Sequence, residues 1–374
     1  MFLHKKIHYA AIVLLSIATL AVLSPTISVY ASDKPITLKV ATYVASTYHI
    51  SENVIRPWCR EIEKRTNGRV KTKAFYGGSL YSAKEQAEQV AAGTADLDLL
   101  WVSSYAPGLF PMMRLVASPF LFANTHIASR AGEELYAKYF KKQFDRAGVM
   151  VGWLAPFGLY SYLGRKQVTN LDDFKGMKIR TSGGVKAKVM EKCYDVTAVR
   201  IPSSEIYMAI QRGLCDGALK ELPGIISHKL FEVGKHITMF DGAGFAAVMG
   251  GAIMNKNTYN SLPKDIQKIL YELNREATFW WSKSYEGNPK EDKEFLEKQG
   301  VKFQDIRGKE LARLKEAAKP VIDKEIELLE KKGYPARDFY NEFQERCKKY
   351  RDLSLEEFGR MQKENPVPMS ELGY

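Results

Sequence analysis

Twice along this chain, short apolar runs alternate with helical segments, and that repeated rhythm confines the fold to sheets covered by helices. Residues 36–43 (ITLKVATY) have the pattern of a buried strand, 50–66 that of a helix closed by Asn67-Gly68, and 70–76 (VKTKAFY) alternates as a second strand. A helix over 82–93 ends at Gly93, and 97–102 is a third apolar strand. A Met- and Phe-rich loop broken by Pro107, Pro111 and Pro119 leads to a helix over 125–147 and strand-like runs at 149–154 and 159–163. The rhythm then restarts, with strands at 177–180 and 198–201, helices at 185–193 and 204–212, and a strand opening near Gly217. Such alternation predicts the α/β class with mixed, mostly parallel sheets. Residues 245–254 (FAAVMGGAIM) suit a strand returning to the first half, and from Pro263 onward the chain reads as almost all amphipathic helix.

The first 31 residues read as a secretory signal peptide. Lys5 and Lys6 supply the positive start, YAAIVLLSIATLAVLS is the apolar centre, and Val29-Tyr30-Ala31 ends in the small-residue pattern of a cleavage site. The apolar run is short for a membrane anchor and Pro25 follows it. Export to the periplasm is therefore expected, and the first cysteine, Cys59, lies too far from the cleavage point for a lipid anchor. Cleavage removes two lysines and no acid, taking the formal charge from +12 to +10. Runs such as KEDKEFLEKQG and KPVIDKEIELLEKKG mix both signs, as solvated helix faces do, and an exported chain meets no nucleic acid. What survives of the basic balance is an attraction for anionic ligands.

The 343 residues left of 374 exceed what one core holds comfortably, so two lobes are expected in a monomer. The first lobe takes 32–155, the second 156–245, and 246–374 returns to the first lobe with bridging helices and a C-terminal helical extension. Four cysteines, at 59, 193, 215 and 347, admit three pairings in an oxidising compartment. The expected bridges are Cys193–Cys215, which flank one βα unit, and Cys59–Cys347, which would tie a late helix to the first lobe. No metal-ligand spacing, phosphate loop, nucleophile elbow or Ser/His/Asp set is visible, so neither a cofactor nor a catalytic residue is assigned.

Two α/β lobes joined by more than one crossover make a clamshell, which holds its ligand between the lobes and beyond the carboxyl ends of strands. Tyr43, Trp101, Ser103, Tyr160, Arg180 and Lys220 occupy such positions, and Ser203 adds a small donor at another strand end. Arg180 stands out because FKGMKIRTSGG carries it along a short strand onto a polar turn. Its planar, permanent charge suits a carboxylate. Ser203 or Ser204 could cap the helix that contains Glu205. Adjacent Trp280 and Trp281 point about 100° apart on a helix, so one can pack inward while the other faces the rim.

Together, Phe174-Lys175-Gly176-Met177-Lys178-Ile179-Arg180, the run 204–213 (SEIYMAIQRG) and Asp216-Gly217 resemble the solute-binding subunit of tripartite ATP-independent periplasmic (TRAP) transporters, in the dicarboxylate-binding branch. The run 60–98 resembles the first lobe of that family. The resemblance implies a periplasmic-binding-protein clamshell with long lobe-bridging helices that delivers a small organic acid to a TRAP membrane permease. It implies that Arg180 pairs with the ligand carboxylate. The chain departs from related patterns at Tyr160, Val102 and Lys220, which makes sialic acid unsuitable. If Lys220 faces the cleft, two cations would flank the ligand and favour a dianion or a sulfonate. A ligand-sensing module and a periplasmic enzyme are the rival readings; the first would need a transmembrane or kinase segment, the second a catalytic set.

Overall fold

The computed structural model describes residues 34–374; the expected signal peptide, 1–31, lies outside the described residues. Eleven strands form two sheets. In chain order they are β1 (Ile36–Ala41), β2 (Val70–Phe75), β3 (Leu97–Val102), β4 (Val149–Pro156), β5 (Ser161–Gly164), β6 (Lys178–Thr181), β7 (Thr197–Arg200), β8 (Gly217–Lys220), β9 (His236–Phe240), β10 (Met249–Asn255) and β11 (Lys302–Ile306). The first sheet has the order β2-β1-β3-β10-β4 and the second β11-β9-β5-β8-β6-β7. No helix among the described residues is long and apolar enough to cross a membrane.

Each sheet contains one strand that runs against both of its neighbours: β10 in the first, β5 in the second. These are the strands that arrive from the other sheet, β5 directly after β4 and β10 directly after β9. A strand entering across the cleft comes in without a returning helix, so it meets its new neighbours head to tail. The two crossovers lie side by side and bond to each other. Phe157 N donates to Val248 O at 3.0 Å, Tyr160 N to Ala246 O at 2.8 Å, and Phe245 N to Tyr160 O at 3.2 Å.

After Met249 the chain does not simply return to the first lobe. β11 pairs in parallel with β9 at the edge of the second sheet. Its pattern hides this, because only Ile306 of the five residues is buried and charged helices flank it on both sides. The two 23-residue helices that follow β10 do bridge the lobes. Helix Gly308–Glu330 carries Glu325, which binds Arg114 of the first lobe at 2.7 Å and also Lys188 of the second.

All four cysteines are free, so neither expected disulfide forms. Cys215 belongs to the small second-lobe core with Leu163 and Ile206, whereas Cys193 packs on the large core and donates to Ala317 O at 3.3 Å. Cys59 lies on helix Arg56–Arg65, its thiol facing Thr72 of β2, while Cys347 lines a surface cleft with Phe122 and Leu311. Sequence proximity to a βα unit did not translate into facing side chains. Of the paired tryptophans, Trp281 is fully buried and donates to Pro156 O at 2.8 Å, and Trp280 is half-buried beside a rim cleft.

A buried ion pair locks the C-terminal helices to the first lobe. Arg275 Nη1 donates to Glu133 Oε1 at 2.5 Å, with side chains only 1% and 0% exposed. Arg275 Nη2 reaches Gly152 O of β4 at 2.5 Å, and Gln362 donates to Glu133 Oε2 at 2.9 Å. Four elements therefore meet on one pair of charges. Arg275→Met should leave Glu133 buried without its cation and cost about 3–5 kcal/mol of stability. Denaturant unfolding checks this, and a loss below about 1 kcal/mol would show the pair to be dispensable.

Candidate functional site

Between the sheets lies a cleft of about 350 Å³, lined on one side by Ser104 and Tyr105 and on the other by Thr181, Ser182, Gly183, Ile201 and Pro202. Lys84, Arg114, Lys188 and Arg200 stand around it, giving the mouth a positive field. Arg180, on β6 next to the lining residue Thr181, has no exposed surface and does not itself line the cleft. Its Nε and Nη2 donate to Ile201 O at 2.9 and 2.7 Å, and Nη2 also reaches the Tyr105 hydroxyl at 3.3 Å. The bidentate grip on a backbone carbonyl fixes the plane of the guanidinium. Nη1 is buried and has no partner among the described residues.

A chain of hydrogen bonds leads from Arg180 to a second cation. Ser203 N donates to the Tyr105 hydroxyl at 3.2 Å, and Lys220 Nζ donates to Ser203 Oγ at 3.4 Å. The Ser203 hydroxyl thus accepts from Lys220, and neither it nor Ser204 caps the following helix. Lys220, 1% exposed, is not a free charge: its Nζ lies 2.7 Å from Glu221 Oε1. Tyr48 joins the pair, accepting from Lys220 at 3.2 Å and donating to Glu221 Oε1 at 3.0 Å. Burial lowers the Lys220 pKa while Glu221 pulls it back up. Gly224 makes the pair possible, because a Cβ there would lie 2.2 Å from Glu221 Oε1 and 2.5 Å from Lys220 Cε.

Tyr160, held at the crossover by its backbone, presents its ring to Lys186, whose Nζ lies 5.0 Å from the ring centre. Lys186 is fully buried and donates to Gly183 O at 2.8 Å. Burial, then the Arg180 charge, pushes its pKa well down. Tyr43 stacks edge-on against Tyr105 at 5.8 Å and faces Ser203. Burial raises the pKa of Tyr43 and Tyr160, so both phenols stay protonated and can donate.

Five of the seven candidate residues, Arg180, Tyr160, Lys220, Tyr43 and Ser203, lie in one buried polar cluster that joins the cleft wall through Tyr105 and Ile201, and none of the five lines the cleft itself. The other two turn elsewhere. Trp101 packs edge-on against Phe110 at 4.6 Å and Phe144 at 5.4 Å, and Ser103 Oγ donates to Met249 O at 2.7 Å. Residue-by-residue reading missed Tyr48, Tyr105, Lys186, Glu221 and Tyr285. Glu221 had a signal, as an acid next to a strand-end lysine; Lys186 had none, since it looks like part of a solvated KAKVMEK helix face.

The profile of the family described as bacterial extracellular solute-binding protein, family 7, matches residues 40–328. The chain belongs to that family. A solute-binding protein of Verminephrobacter eiseniae (strain EF01-2) is 28% identical over 228 residues, which cover 60% of this chain and 66% of the relative, just under two thirds of its length. The C4-dicarboxylate-binding periplasmic protein DctP of Rhodobacter capsulatus is 24% identical over 310 residues, covering 82% of this chain and 91% of that one. The crystal structure of a TRAP solute binding protein from Rhodoferax ferrireducens T118, in complex with copurified benzoate, shares the fold. Its TM-score is 0.80 at 22% identity, over 85% of this chain and 99% of that one.

In this family 7 protein the lobes also meet through aromatic stacking beside the Lys220–Glu221 pair. Tyr48 packs on His49 at 4.4 Å and on His228 of the second lobe at 4.8 Å, and His49 N donates to Ser227 Oγ at 3.2 Å. Burial, reinforced by the Lys220 and Arg180 charges, pushes the His228 pKa from 6.5 down to about 3. Burial, Lys220 and His228 lower that of His49 likewise. Folded, both rings stay neutral, whereas unfolded they protonate near pH 6.5. Their contribution to stability is whole above about pH 6.5 and is lost as pH falls toward the folded values. The difference in melting temperature between wild type and His228→Gln should therefore shrink as pH drops from 7.5 to 4.5. Thermal unfolding across that range measures it, and a constant difference would contradict the assignment.

Proposed function

We propose that this protein captures a small organic acid with a single carboxylate in the cleft between its sheets and delivers it, in the periplasm, to a TRAP membrane permease. The observation that carries this reading is Arg180: fully buried, clamped by Ile201 and Tyr105, with Nη1 unpartnered among the described residues. A buried cation with an unmet donor favours an anion that accepts from it. Beside Arg180 the charge count favours one carboxylate rather than two, because the mouth cations Arg114, Lys188 and Arg200 are paired with Glu325 and Glu191. Lys220, the other cation expected from the sequence, is already neutralised by Glu221 at 2.7 Å, and burial drives Lys186 toward its neutral form. Among the relatives, this aligns the chain with the benzoate-bound protein more than with the C4-dicarboxylate binder. A ligand that touches both lobes would favour the state in which they meet, and the permease could read that shift.

Thermal-shift screening should find monocarboxylates that raise the melting temperature more than succinate does. Calorimetry with the acid that gives the largest shift should then show Arg180→Lys weakening binding by roughly 10- to 100-fold. That corresponds to about 1.5–3 kcal/mol for one charged hydrogen bond. Lysine keeps the charge but cannot grip Ile201 O twice while offering a third donor. Succinate shifting the protein more than every monocarboxylate, or unchanged binding by Arg180→Lys, would sink the reading.

A further inference from the structure

A second cleft, of about 260 Å³, opens beside the hinge, lined by Gly158, Leu159 and Ser161 of one crossover and by Ala243 and Gly244 of the other. The chain as a whole is basic, with a formal net charge of +12, yet the charged residues of this wall are all acids: Glu221, Glu286 and Asp292. Three lining residues also carry a buried polar atom that meets no partner among the described residues: Glu221 Oε2, the Tyr285 hydroxyl and Thr125 Oγ1. These residues are only 1%, 6% and 1% exposed. They come from three parts of the fold. Thr125 opens helix Thr125–Glu134 of the first lobe, Glu221 follows β8 of the second, and Tyr285 lies near the end of bridging helix Lys264–Glu286. The missing side chain of Gly158 lets two of them approach, since a Cβ there would sit 2.8 Å from Tyr285 Cδ1 and 3.0 Å from Glu221 Cβ.

We propose that this cleft binds a small primary ammonium compound, whose N–H donors meet the unpartnered oxygens and whose charge is balanced by Asp292. Lys220 and Tyr48 both bond Oε1 of Glu221, so Oε2 is the oxygen left to accept, and Lys220 is not part of the cleft wall. Glu286 is already engaged with Thr125 N and with His126 Nδ1. Asp292 stands half-buried on helix Pro289–Lys298, where burial and then the like charge of Glu291 push its pKa up to about 6. A cation beside it would offset both effects. A quaternary ammonium carries the charge but no N–H, and would leave the buried acceptors unmet. No group of three His, Cys, Asp or Glu among the described residues is placed to hold a metal ion, which favours an organic cation. Leu159, Leu222, Pro223 and Met239 give its carbon chain an apolar wall. The same carboxylates disfavour an organic anion, so this site does not compete for the acid proposed at Arg180.

The test is calorimetric titration of the full mature chain with n-propylammonium chloride, set against tetramethylammonium chloride and sodium chloride at the same ionic strength. One propylammonium is expected to bind per chain, at least about tenfold more tightly than either of the other cations. Asp292→Asn and Tyr285→Phe should each weaken propylammonium binding, the first by about tenfold, while Arg180→Lys leaves it within about twofold. The comparison of the three salts on the wild type decides the matter even if a variant does not fold. Absence of propylammonium binding, equal binding of the three cations, or binding untouched by both Asp292→Asn and Tyr285→Phe would overturn the assignment. No acid takes part in these titrations, so their failure would leave the carboxylate reading standing.

Discussion

The polar groups between the lobes are arranged around one costly feature, a guanidinium removed entirely from water. Burying a cation is expensive unless its donors are met. Arg180 meets most of that demand with the Ile201 carbonyl and the Tyr105 hydroxyl, which come from opposite lobes. Tyr105 in turn accepts from Ser203 N, so the residues that hold the arginine also hold the lobes in register. What is left over, Nη1, has a fixed direction because the other two nitrogens are fixed. A binding group oriented before its ligand arrives loses less entropy when the ligand binds.

The topology explains how the lobes can carry such a site. Both crossovers run through the hinge as neighbouring extended segments, hydrogen-bonded through Phe157, Tyr160, Phe245, Ala246 and Val248. Tyr160 belongs to that ribbon and presents its ring to Lys186. Glu325 ties Arg114 of one lobe to Lys188 of the other, and Tyr285 brings the first bridging helix to Glu221. Relative motion of the lobes therefore perturbs the site through bonds rather than through distance alone.

Much of this was legible beforehand where the signal is local. The βαβ rhythm placed nine of the eleven strands in outline, missing β9 and β11, because apolar periodicity depends on neighbours a few residues apart. β11 escaped because an edge strand with one buried residue has almost no apolar pattern. Arg180 was visible from its place on a strand leading to a Gly-rich turn. Lys220 was found without its partner, which is the next residue, the missing Cβ of Gly224 on the following helix leaving room for the two charges. Trp101 sits at a strand end, yet Phe110 and Phe144 claim its ring for the core. The cysteines show the same limit: two that flank one unit in sequence lie in two different cores.

By itself, then, the sequence determined the class of fold, the two-lobed division and the presence of an arginine suited to an acid, all consequences of short-range pattern and residue chemistry. The tertiary structure alone decided which charges are spent and which remain. Lys220 is cancelled by Glu221, Lys186 is buried over Tyr160, and Arg180 keeps one donor free of any described partner. The reason is physical: the effective charge of a side chain is set by its burial and by the groups within a few ångströms of it. In this chain those groups come from both lobes and from a bridging helix, and only folding brings them together.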